Sequence, residues 1–154
     1  LQAEVGAWSE RNFGAQPVAN PVLGVVEEYG ELLVAEEEAA TMDAIGDLII
    51  YLADVCHRRG LDLEAAHNAN SDVGLDPIPG IGAGVARLCR SVLKRRQGVR
   101  LDEDRIGDEA ERQAIAEVLA ALEALVADRD YGLEDCIDVA WEQEVRHRDW
   151  RTTD

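Results

Sequence analysis

The chain reads as an all-helical (all-α) bundle. Three features predict it: only 5% of its residues are aromatic, long stretches are built from Ala, Leu, Glu and Arg, and apolar residues recur at i, i+3 and i+4 rather than at every second position. With 154 residues, 47% of them hydrophobic, the chain can bury a core as one domain or as two small similar units.

The first clear helix is predicted between Val22 and Leu33, where Val22, Val25, Val26, Tyr29, Leu32 and Leu33 keep the helical rhythm. Asn20 and Pro21 act as its start signal. A second helix is predicted from Met42 to His57, with Ile45, Leu48, Ile49, Leu52, Val55 and Cys56 on one face and Arg58, Arg59 and Gly60 closing it. Its other face carries Asp43, Asp47 and Asp54 beside Ile50 and Tyr51, which suits neither a solvated surface nor a plain core. The segment from Asn68 to Gly84 is rich in Gly, Pro and Asn and reads as a linker.

After that segment the pattern restarts. NPVLGVVEEYGEL (Asn20 to Leu32) returns as DPIPGIGAGVARL (Asp76 to Leu88) at an offset of 56, with Pro21, Gly24 and Leu32 matched by Pro77, Gly80 and Leu88. Further on the offset is 70: Ala44, Ile45, Leu63 and Glu64 match Ala114, Ile115, Leu133 and Glu134. The extra residues form a loop of the second copy around KRRQGVRLDEDRI. The expectation is therefore a tandem of two helical hairpins, residues 1–70 and 85–154 with a linker at 71–84, that form a pseudo-dimer because neither hairpin buries its apolar faces alone.

Charge narrows the partners. A net charge of -17 repels polyanions and argues against nucleic acid, while it suits cations. Cys56, Cys89 and Cys136 are odd in number and set among apolar residues, which predicts free thiols in a reducing cytoplasm rather than a disulfide framework or a zinc site. No apolar run reaches the roughly 18 residues of a membrane span, and no signal peptide is expected at the start.

In the first copy Glu28 and Glu31 are spaced i, i+3, and Asp43 and Asp47 i, i+4, so each pair shares one side of its helix. Packed together, four carboxylates without cationic partners repel, and a divalent ion relieves them; oxygen-only ligation favours Mg²⁺, with Mn²⁺ as the alternative. The run Glu36 to Glu38 is a solvated stretch by comparison. At the copied positions of Glu28, Glu31 and Asp47 the second copy has Gly84, Arg87 and Glu117.

These residues resemble the MazG-like all-alpha nucleoside triphosphate pyrophosphohydrolases, whose signature is an ExxE pair on one helix and an acidic pair on the next. The counterparts are EEYGEL (Glu27 to Leu32) and DAIGDLIIYLADVC (Asp43 to Cys56), with Ala44 where the commoner form has Glu and Asp43 one step earlier. The second copy keeps LKRRQGVR (Leu93 to Arg100) and WEQEVRHRDW (Trp141 to Trp150), elements that single-copy relatives carry beside the acids. The resemblance covers nearly the whole chain. It implies that Glu28, Glu31 and Asp47, with Asp43 as a fourth ligand, bind Mg²⁺ and hydrolyse a (d)NTP to the (d)NMP and pyrophosphate, Glu27 or Glu28 taking the proton.

On that reading the copies divide one site, the first holding metal and the second phosphate. Lys94, the only lysine in the chain, forms with Arg95, Arg96 and Arg100 a basic island that suits a triphosphate. Trp8, Asn12 and Phe13 are candidates for a base, Asn12 by hydrogen bonding. The task implied is nucleotide-pool housekeeping, dUTP removal included, by a chain that can pair as a homodimer of pseudo-dimers. Three other readings stay open: a silent helical module that binds a nucleotide or a partner protein, a bundle serving oligomer assembly alone, and a phosphoribosyl-ATP pyrophosphatase-like enzyme.

Overall fold

The computed structural model describes residues 1–69, 74–100 and 105–151, and among them there are helices and turns but no strand. The helices are α1 (Gln2–Phe13), α2 (Ala19–Val34), α3 (Glu38–Arg59), α4 (Leu63–His67), α5 (Pro77–Arg96), α6 (Asp108–Val126) and α7 (Leu133–Ile137). A π-helical turn (Asp138–Glu142) and a 3₁₀ turn (Val145–His147) follow. No helix of the described residues is long and apolar enough to cross a membrane.

Two helix boundaries differ from the expectation, each for a local reason. α2 begins at Ala19, so Asn20 lies inside it and donates from Nδ2 to Gln16 Oε1 at 2.9 Å instead of capping. Pro21 is then the third helical residue, still within the first turn, where an N–H has no intrahelical partner to lose. α3 begins at Glu38 rather than Met42, since Glu38, Ala39 and Ala40 are strong helix formers and a carboxylate suits the first turn. Its end is as predicted: Gly60 sits at φ 64°, which a residue without Cβ adopts freely, and Leu61 N donates back to Cys56 O at 2.9 Å.

The linker reading is corrected over its second part. Pro77 to Gly84 form the first turns of α5, introduced by Asp76, although glycine is a poor helix former. Close packing outweighs propensity here. A Cβ at Gly82 would stand 2.6 Å from the Tyr29 hydroxyl, and one at Gly84 would stand 2.6 Å from Val118 Cγ2 and 3.1 Å from Ala114 O. Tyr29 also donates to Ile78 O at 3.2 Å, fixing α2 on the start of α5. Residues 70–73 of the expected linker and 101–104 of the expected loop lie outside the described residues.

α2 packs along α3, α5 along α6, and α1 crosses α3. The short helices are seated crosswise, α4 on α6 and α7 on α3. α3 is consequently the centre of the molecule: Ile45, Leu48, Leu52, Val55 and Cys56 are fully buried, each large aliphatic side chain contributing on the order of 1.5–3 kcal/mol. The approach of α7 is close enough that a Cβ on Gly46 would stand 2.2 Å from Cys136 O.

Candidate functional site: an acidic cleft

α1, α2, α3 and the C-terminal segment enclose a cleft of about 400 Å³. α2 contributes Glu28; α3 contributes Asp47, Ile50 and Tyr51; α1 contributes Trp8 and Phe13; Arg148 and Trp150 complete the wall. Gly24 makes room for this arrangement, because a Cβ there would lie 2.3 Å from the Tyr51 ring. Trp8 is buried, edge-on to Phe13 at 5.5 Å and to Trp141 at 6.0 Å, so it is a packed wall. Phe13 and Trp150 are exposed.

The three aspartates along α3 have different fates. Asp54 is neutralised: Arg58 Nε stands 3.0 Å from its Oδ1 and Ser9 Oγ donates to its Oδ2 at 2.8 Å, with both charged side chains more than nine-tenths buried. Asp47 has no such partner. Burial, the charge of Asp43 and further acids push it up to about 7 against the pull of Arg148. Asp43 is also raised, by burial first and then by Glu144, with Arg148 opposing.

Glu28 is the most perturbed of the acids. Only 7% of it is exposed, its Oε2 is buried without a hydrogen-bond partner, and its pKa is pushed up to about 8. Burial is the largest cause, followed by the charges of Asp47, Glu31, Glu27 and Asp43. The four carboxylates singled out from the sequence thus act on one another electrostatically, with Glu31 at the exposed edge. Among the described residues no three acidic, imidazole or thiol groups stand close enough to hold an ion as they are placed.

The corresponding positions of the second half look different. At the sequence offsets of 56 and 70, Gly84, Arg87, Gln113 and Glu117 fall opposite Glu28, Glu31, Asp43 and Asp47. Arg87 Nη1 pairs with Glu117 Oε2 at 2.9 Å and Gln113 Nε2 donates to Glu117 Oε1 at 3.4 Å. The acid of this half is answered from within, and Val118 fills the space beside Gly84. Glu28, by contrast, has a buried oxygen without a partner and no arginine paired with it among the described residues.

None of Lys94, Arg95, Arg96 and Arg100 lines the cleft. Lys94 donates to Gln97 at 3.2 Å, and Arg96 and Arg100 are exposed. Arg95 is engaged elsewhere: with Arg59 and Ser91 it encloses the wholly buried Glu111, at 2.6, 2.7 and 3.2 Å respectively. Asn12 is occupied at both ends, its Nδ2 donating to Trp8 O at 3.0 Å and its Oδ1 accepting from Trp150 N at 2.8 Å. The cation that does line the cleft is Arg148. Arg148 is the arginine of the RDW that closes WEQEVRHRDW, but its place on the cleft depends on how the tail is fastened to α1.

No family model, no curated protein and no solved structure matches this chain.

Proposed function

We propose that the chain is a Mg²⁺-dependent nucleoside triphosphate pyrophosphohydrolase of the MazG-like kind, releasing pyrophosphate and the monophosphate, and built as a tandem pseudo-dimer with one acidic site. One observation carries this reading: Glu28 is buried with an unpartnered oxygen among carboxylates that raise its pKa to about 8, in a cleft large enough for a ligand. An uncompensated buried carboxylate is costly in a purely structural hairpin. The arrangement of the second half, where Arg87 and Gln113 answer Glu117, is what such a hairpin looks like.

The donor set fits a hard divalent cation, since it is all oxygen and carries excess negative charge. Glu28, Glu31 and Asp47, with Asp43, are the residues that would hold it. Bound Mg²⁺ supplies positive charge to a phosphoryl oxygen and acidity to the attacking water. Glu28 holds its own proton at neutral pH until a bound cation displaces it, and Glu28 in that ionised state, or Glu27, would then accept the water's proton. Trp8, Tyr51 and Ile50 exclude bulk water along the inner wall. Crosswise seating of α4 and α7 at matched positions supports the tandem pseudo-dimer. Buried Cys56 and Cys136 suit a reducing cytoplasm, and nucleotide-pool housekeeping is the task that follows.

The deciding experiment is pyrophosphate release from a panel of canonical, deoxy and modified nucleoside triphosphates, with phosphoribosyl-ATP included, in Mg²⁺, Mn²⁺ or chelator. Metal-dependent release with a preferred substrate is the expected result. Silence across the panel rejects the enzyme; retained Mg²⁺ and nucleotide binding would then identify a binding module.

A further inference from the structure

We propose that Val145 to Arg151 form a strap across the acidic cleft, and that Arg148 is the residue that receives the phosphate chain of a bound nucleotide. This deepens the reading above and rests on it. The strap is fixed to α1 at three points, two through its backbone and one through a side chain: Trp8 Nε1 donates to Arg148 O at 2.9 Å, Trp150 N to Asn12 Oδ1 at 2.8 Å, and the Arg151 side chain donates from Nε to Asn12 O at 2.7 Å. Val145, at the start of the strap, is buried. The strap's backbone is thereby positioned while the Arg148 head group keeps freedom: 46% of the side chain is exposed, and its ion-pair partner is the exposed Glu144 at 2.8 Å.

An exposed ion pair one helical turn apart stabilises little and exchanges readily. A guanidinium binds a phosphate more strongly than a single carboxylate, through paired N–H donors and a higher opposing charge. Among the described residues that line the cleft, Arg148 is the only Lys or Arg, and it shares that lining with Glu28, whose Oε2 is buried without a hydrogen-bond partner. Arg58, Arg59 and Arg95 are committed elsewhere, Arg58 to Asp54 and the other two to Glu111. Trp150, 57% exposed and 6.0 Å from the Arg148 guanidinium, gives the strap an apolar rim.

The test uses the full chain, Mg²⁺ and the triphosphate that the panel identifies as best. Arg148→Ala should raise KM by about tenfold or more with a smaller effect on kcat, and Arg148→Lys should recover part of the loss. Arg146→Ala, which removes the same charge from a residue that does not line the cleft, should stay within about twofold. Calorimetric titration with inorganic triphosphate and Mg²⁺ should rank the variants in the same order. If Arg148→Ala folds poorly by circular dichroism, Arg148→Gln replaces it in both measurements. A parent enzyme that turns over while the Arg148 variants keep its KM, or while Arg146→Ala is equally impaired, overturns the strap and leaves the enzyme standing. A parent that neither hydrolyses nucleotides nor binds triphosphate removes both.

Discussion

Replacing Glu28 by Gln should abolish turnover and at the same time stabilise the protein. The unfolded chain releases the Glu28 proton near 4.5, whereas the folded protein holds it up to about 8. Across that window the native state binds more protons, so the stability contributed at this position falls as pH rises from 4.5 and is lowest above 8. At pH 7 about 2.5 pH units of unequal protonation, at roughly 1.4 kcal/mol each, amount to about 3 kcal/mol. Gln keeps the shape and removes the charge, and it also relieves Asp47, with which Glu28 titrates as a pair. For a chain of this length about 3 kcal/mol corresponds to a rise in Tm of roughly 6–12 °C. Thermal melts of parent and Glu28→Gln in chelator, from pH 4.5 to 8.5, measure it. The difference should be near zero at the acid end and widen with pH. A Glu28→Gln protein no more stable than its parent at pH 8, or a gap that ignores pH, would refute the reasoning that Glu28 is an uncompensated buried acid.

Mg²⁺ should close most of this gap: at a hundredfold excess over its Kd it adds about 2.7 kcal/mol to the parent, while Glu31→Gln shows neither that gain nor metal-dependent hydrolysis, as read by melting and pyrophosphate release. Gly46→Ala should destabilise by about 1–3 kcal/mol in urea titration, because the new Cβ would meet the α7 backbone at Cys136 O, 2.2 Å away. Cys56 and Cys136 are buried thiols held up to about 12 and about 11 by burial, so a disulfide-exchange reagent should label Cys89 first in the native protein and all three only in denaturant.

Much of the helical pattern was legible because apolar spacing reports which side of a helix is covered. The rhythm from Ile45 to Cys56 marked the face of α3 that is in fact fully buried, and Gly60 marked its end. The start of α5 was not legible, since Gly80, Gly82 and Gly84 look like loop residues until Tyr29, Val118 and Ala114 are seen pressing against them. Glu28, Glu31, Asp43 and Asp47 are singled out by helical spacing together with the copied frame and the family resemblance, and of these Glu28 and Asp47 line one cleft. The cations were not legible in this way. Arg95 and Arg148 are both arginines in basic segments, and what sends one to Glu111 and the other to the cleft is long-range: a buried carboxylate on α6 and the fastening of the tail by Trp8 and Asn12. Asp54 shows the same limit, placed by helical period on the same face of α3 as Asp47 and Asp43 yet neutralised by Arg58 and Ser9.

The crosswise seating of α4 on α6 and α7 on α3 interlocks the two halves like clasped hands. The half whose acid is answered from within therefore cannot be discarded even if it does no chemistry: it provides the floor on which α3 rests and the tail that reaches α1. Substitutions in that half are constrained by shape rather than by reaction, which leaves its surface free to diverge while Gly84 and Cys136 keep the room and the contact they have now.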